Sequence, residues 1–130
     1  MTENMVSIRK MGLPGKGYRV FASWRLPKYA IKKGKVDLWI PELAPRLTLA
    51  HELRKGAVTW HAFKRMYALE LRSSGKQNLL KPLALLSFRR NLVLLCGCPD
   101  GAPCPNVVLA KAILECRKAG NFRISFEKAA

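Results

Sequence analysis

Hydrophobic positions along the chain change period several times, and each change marks an element. Met5–Lys10 (MVSIRK) alternates in part and predicts a first strand. Gly12, Pro14, Gly15 and Gly17 follow as a loop, and Tyr18–Trp24 (YRVFASW), rich in aromatic and β-branched residues, predicts a second strand. Val36–Pro45 reads as a short strand or a helical turn. Thr48 is placed to cap a short helix, Leu49–Lys55, that Gly56 ends. Thr59 is placed to cap a longer one running to about Arg72. There Trp60, Phe63, Tyr67 and Leu71 recur at three- and four-residue spacing and form one apolar stripe, with His61, Lys64, Arg65 and Arg72 largely off it. The plain meaning of such a stripe is core packing rather than a stacking platform for bases.

Ser73-Ser74-Gly75 reads as a break. A third helix is expected from Asn78, with Leu79, Leu80, Leu83 and Leu86 inward, since Pro82 suits only a first turn. Arg89 and Arg90 suit its carboxyl end. Leu92–Cys96 is the longest strongly apolar run, and Asn91–Cys96 predicts the central strand. A cysteine-bearing loop leads from it into a helix starting at Cys104 or Asn106. Val107, Leu109 or Ala110, Ile113 and Leu114 point that helix inward, and Gly120 stops it. Phe122–Glu127 (FRISFE) alternates as an edge strand. The order of elements predicts an α/β fold, a single three-layer domain over residues 1–130, core about 5–127, with a small, mainly parallel sheet flanked by helices. At 130 residues, 49% of them hydrophobic, the chain can bury a core of that kind.

Charge changes the picture. Lys plus Arg number 24 against 8 acids, a formal net charge of +16. A surplus of this size repels itself in the compact state and favours an anionic partner. From Arg9 to Lys35 there are nine bases and no acid. Arg19, Arg25, Lys28, Lys32, Lys33 and Lys35 are therefore candidate phosphate contacts, with Lys16 and Arg46 as extensions. Trp24 and Tyr29, interleaved with them, are candidate stacking residues. The expected partner is nucleic acid or another polyanion, bound without strong sequence readout. The plainer alternative is a solvated cationic flank with Trp24 in the core. No signal peptide and no apolar run of membrane-spanning length is visible, so a cytosolic protein with no membrane partner is expected. Oligomeric state is not legible.

The middle of the chain resembles the YeaO-like family, catalogued as domain of unknown function 488. Tyr18-Arg19-Val20 is similar to its early strand. Leu43-Ala44-Pro45, Glu52-Leu53-Arg54-Lys55, and Trp60, Phe63, Arg65, Tyr67, Glu70 and Leu71 follow the family pattern in order. Leu94-Leu95-Cys96 matches the strand before its variable loop. The resemblance implies an α/β fold and no defined reaction. Where family members carry an Asp-Arg-hydrophobic-Trp-Pro-Arg-Gly run, this chain reads Ser23-Trp24-Arg25-Leu26-Pro27-Lys28-Tyr29. Where many carry Cys-His-Arg or His-Asn-His before the last helix, it reads Cys104-Pro105-Asn106.

Cys96, Cys98, Cys104 and Cys116 are the four cysteines, three of them within nine residues, which excludes a secreted disulfide scaffold. Cys98 and Cys104 share one loop and form the candidate thiol pair, Cys98 attacking and Cys104 resolving, for a redox or sulfur-transfer reaction. A local Cys98–Cys104 disulfide is the related alternative. Cys96 reads as an inert residue at the end of a buried strand. A Cys-dependent phosphatase loop lacks its Arg, and Pro99, Pro103 and Pro105 remove the N–H donors of an anion cradle. Cys96, Cys98 and Cys104 offer zinc three thiolates with no fourth ligand nearby unless His51 or His61 folds in. No cofactor and no metal is expected. Gly12–Gly17 leads into a strand, not a helix, and so is no phosphate loop.

Overall fold

The structure, a computed structural model, describes residues 6–11, 17–25, 36–97 and 103–117. Among the described residues four parallel strands, β1 (Val6–Lys10), β2 (Tyr18–Phe21), β3 (Leu38–Trp39) and β4 (Leu92–Cys96), form one sheet in the order β1-β4-β2-β3. β4 sits between β1 and β2. Val6 to Lys10 lie opposite Leu92 to Cys96 on one side, and Tyr18 to Val20 lie opposite Leu92 to Leu94 on the other. A strand paired on both edges and covered on both faces needs apolar residues at every position, which is why LVLLC shows no alternation.

The alternation reappears in which face each residue serves. Leu92 and Leu94 join Val6, Ile8 and Val20 in the main core, under Leu49, Phe63, Tyr67, Leu80 and Ile113 from the helices. Val93 and Leu95 turn the other way and pack with Phe21, Met11 and Val36. Gly17 makes the entry to β2 feasible. Its φ of +133° is a left-handed value, and a Cβ there would lie 2.8 Å from the Asn91 carbonyl oxygen, which accepts the Tyr18 N–H.

The helices are α1 (Leu47–Lys55), α2 (Trp60–Leu71), α3 (Ser74–Leu86) and α4 (Asn106–Arg117). Thr59 caps α2 as expected, its hydroxyl accepting the Ala62 N–H at 3.0 Å. Gly56 ends α1 in a left-handed conformation, φ +77°. Val36–Pro45 contains both structures that its sequence allowed, β3 and then a 3-10 turn at Pro41–Leu43.

Four expectations need correction. β2 stops at Phe21, before Trp24. α1 begins at Leu47, with Arg46 rather than Thr48 at its N-cap. α3 begins at Ser74, capped by Ser73, so Ser73-Ser74-Gly75 starts a helix instead of breaking one. Pro82 then lies inside α3. Pro82 and Asn78 are both exposed, so solvent serves the carbonyl that the missing N–H leaves. In α4, Val108 is buried and Val107 only half so. Gly120 and the predicted strand at Phe122–Glu127 lie outside the described residues.

Candidate functional site

Parallel strands end at a common edge, and in open α/β sheets that edge carries the ligands. Here it gathers Lys10 and Met11 at the end of β1, Trp24 and Arg25 after β2, Trp39 and the 3-10 turn at the end of β3, and Cys96 at the end of β4. The Met11 N–H donates to the Cys96 carbonyl at 2.8 Å, which holds the first and last of these side by side.

The start of α4 is tied to the same edge. Asn106 is buried, and its amide Nδ2 donates to the Leu95 carbonyl at 2.8 Å. That bond fixes the Cys104-Pro105-Asn106 segment over the end of β4. Cys104 Sγ comes to 3.0 Å from Cys96 Sγ, both half-buried. The sequence paired Cys104 with Cys98; the structure sets it against Cys96. Cys98 lies outside the described residues. Among the described residues no group of three or more His, Cys, Asp or Glu is placed to hold a metal ion.

Next to the thiols stands a second cluster, built from the residues of the family pattern. Tyr67 is buried in mid α2 and donates its hydroxyl to the Leu43 carbonyl at 2.5 Å. Burial pushes the phenol well above its ordinary pKa, and the Glu70 and Cys104 charges add to the shift. Tyr67 therefore stays a hydrogen-bond donor. One turn on, Glu70 Oε1 accepts the Arg46 backbone N–H at 3.0 Å, and Oε2 lies 3.1 Å from Arg46 Nε. On the helix itself Glu70 has a nearby base in Arg72. The observed partner is 24 positions away, which i,i+2 proximity cannot indicate. The spacing of Leu43-Ala44-Pro45 and Tyr67-x-x-Glu70 as a shared pattern was the available signal.

The predicted polyanion residues divide three ways. Arg19 is engaged: its Nε lies 3.0 Å from Asp37 Oδ2, and its Nη2 donates to Oδ1 at 3.1 Å. The Arg19 hydrogen bond holds the Asp37 carboxyl below its usual range. Trp24 and Arg25 are exposed at the sheet's carboxyl edge. Trp24 is 49% exposed while its indole Nε1 donates to the Pro45 carbonyl at 2.7 Å, so it is held in place rather than buried in the core. Lys28, Tyr29, Lys32, Lys33 and Lys35 lie outside the described residues. Trp39 was missed: it is 42% exposed, and its Nε1 donates to the carbonyl of Ser23, the residue just before Trp24, at 2.6 Å. Its tryptophan in a two-residue strand gave no periodic signal to find it by.

A family model described as the active DUF488-N3 subclade matches residues 4–117. No curated protein and no solved structure matches the chain.

Proposed function

We propose a polyanion-binding function, most specifically nucleic-acid binding without strong sequence preference, for this chain, which belongs to the DUF488 family. The observation that carries the reading is the anchored, half-exposed Trp24 followed by exposed Arg25 at the carboxyl edge of the sheet. An indole fixed by its N–H and open to solvent costs little further entropy when a base stacks on it. The basic run that continues through Lys28, Lys32, Lys33 and Lys35 in sequence supplies cations for phosphates. The chain's 24 bases far exceed its 8 acids, so charge neutralisation within the molecule cannot be general.

Equilibrium binding of a fluorescent single-stranded oligonucleotide tests this. Trp24→Ala is expected to weaken binding by about 1–3 kcal/mol, the usual worth of one base stack. Equal affinity of the Trp24→Ala and unaltered proteins would remove the stacking site.

A second reading is favoured by the 3.0 Å separation of Cys96 and Cys104 Sγ and fits the subclade's description as active. In it the pair is a dithiol that reduces a substrate disulfide. One cysteine thiolate attacks a substrate sulfur, forming a mixed disulfide and releasing the first substrate thiol. The other cysteine then attacks the protein sulfur and releases the second. The protein gives up two protons and two electrons overall, and the substrate gains them. Treatment with oxidised glutathione is expected to yield a Cys96–Cys104 disulfide on peptide mapping, with the mass of two hydrogens lost. A Cys98–Cys104 bond instead would return the chemistry to the loop and leave Cys96 inert.

A further inference from the structure

Away from the sheet edge, a groove of about 630 Å³ runs between α2 and α4. It follows from helix periodicity. Positions 61, 64/65, 68 and 71 of α2, with its C-cap Arg72, share one face, and positions 107/108, 111/112 and 115/116 of α4 share another. The floor is aliphatic, with Ala68, Leu71, Val107 and Ala112. The rim is cationic: Arg65 of α2, Arg72 at its C-cap and Lys111 of α4 line it with His61 and Lys64, and Glu115 is the one acid of the lining. Lys64 is already drawn over the Trp60 ring, at 5.7 Å from its centroid. Arg65, Arg72 and Lys111 make no ion pair among the described residues.

We propose that this groove binds a small soluble alkyl phosphate, its aliphatic body on the floor and its phosphate between Arg65, Arg72 and Lys111. The size lies within the range of small-molecule sites. The floor bears no aromatic ring, so it offers no stacking surface to a base and is a poor seat for a nucleic-acid strand. Three cations lining one groove suit a doubly charged group, and the arginines can hold its oxygens in pairs. This site goes beyond the polyanion contact at the sheet edge and does not depend on it.

Amide chemical-shift titration with n-hexyl phosphate tests the assignment, with inorganic phosphate and n-hexanol as separate probes. Hexyl phosphate is expected to shift amides of α2 and α4 saturably and to bind at least about tenfold more tightly than either probe, because only it engages both floor and rim. The double variant Arg72→Ala/Lys111→Ala is expected to lose at least tenfold in affinity while its spectrum remains that of a folded protein. Trp24→Ala is expected to bind hexyl phosphate unchanged, which separates this site from the polyanion surface. Shifts that fail to saturate, or inorganic phosphate binding as tightly as the ester, overturn the proposal. So does a single-stranded oligonucleotide that moves these amides when hexyl phosphate does not.

Discussion

Affinity for single-stranded DNA is expected to fall by about fiftyfold when salt rises from 50 to 200 mM. The figure rests on four phosphate contacts, from Arg25 and the neighbouring Lys28, Lys32 and Lys33, each contributing about −0.7 to the slope of log affinity against log salt on a single strand. Fluorescence anisotropy across a salt series measures that slope. The part of binding that comes from Trp24 stacking releases no counterions and persists at high salt. Removing Arg25 is expected to reduce the slope by about 0.7 and weaken binding evenly across sequences. Removing Trp24 is expected to lower affinity at every salt with the slope unchanged. A slope near zero would mean that the cations do not touch phosphates, and the leading reading would go with it.

The largest expected effect on stability is that of Phe63→Ala, about 3–5 kcal/mol. Phe63 is fully buried. Its ring stacks on Trp60 with centroids 5.4 Å apart and meets Tyr67 at 5.9 Å. Losing it leaves a cavity beneath the Tyr67 ring, whose hydroxyl holds the Leu43 carbonyl of the 3-10 turn. That turn leads directly to Pro45, the acceptor for Trp24, and to Arg46, the partner of Glu70. Core packing and site geometry are thus coupled through α2. Denaturant titration is expected to show a lower midpoint with an unchanged slope. Leu69→Ala, on the exposed side of the same helix at 63% exposure, is expected to stay within about 0.5 kcal/mol. Similar losses for both variants would show that α2 is not docked through its aromatic stripe.

Much of the fold is legible in the chain because it depends on periodicity and local chemistry. The aromatic stripe of α2 packs inward at Phe63, Tyr67 and Leu71, and Thr59 and Gly56 punctuate their helices for reasons contained within a few residues. The apolar run of β4 marks the strand between two others. Local rules gave a wrong boundary at α3, where Pro82 suggested a late start. A proline's cost is set by where its orphaned carbonyl points, and exposure answers that only after packing.

The site was legible in composition and not in partnership. Trp24, Arg25 and Cys104 stand out by residue type, and all three come to the carboxyl edge or the helix start beside it. Which group meets which was a different matter. Cys104 lies two positions before Asn106, and the Asn106 amide bond to Leu95 turns that segment toward Cys96. Glu70 reaches Arg46 and Arg19 reaches Asp37 across turns whose geometry has no signature in sequence spacing.

The sequence by itself determined the α/β class, the apolar central strand, the aromatic helix face and the sign of the charge, since each depends on residue types and on periods of two or 3.6 positions. Tertiary structure alone decided that Cys104 meets Cys96, that Arg19 is held by a carboxylate while Trp24 faces solvent, and that two helix faces enclose a cationic groove. Those facts depend on long-range closure, in which β4 and α4 bring distant segments within a few ångströms, and local sequence does not encode distances across the fold.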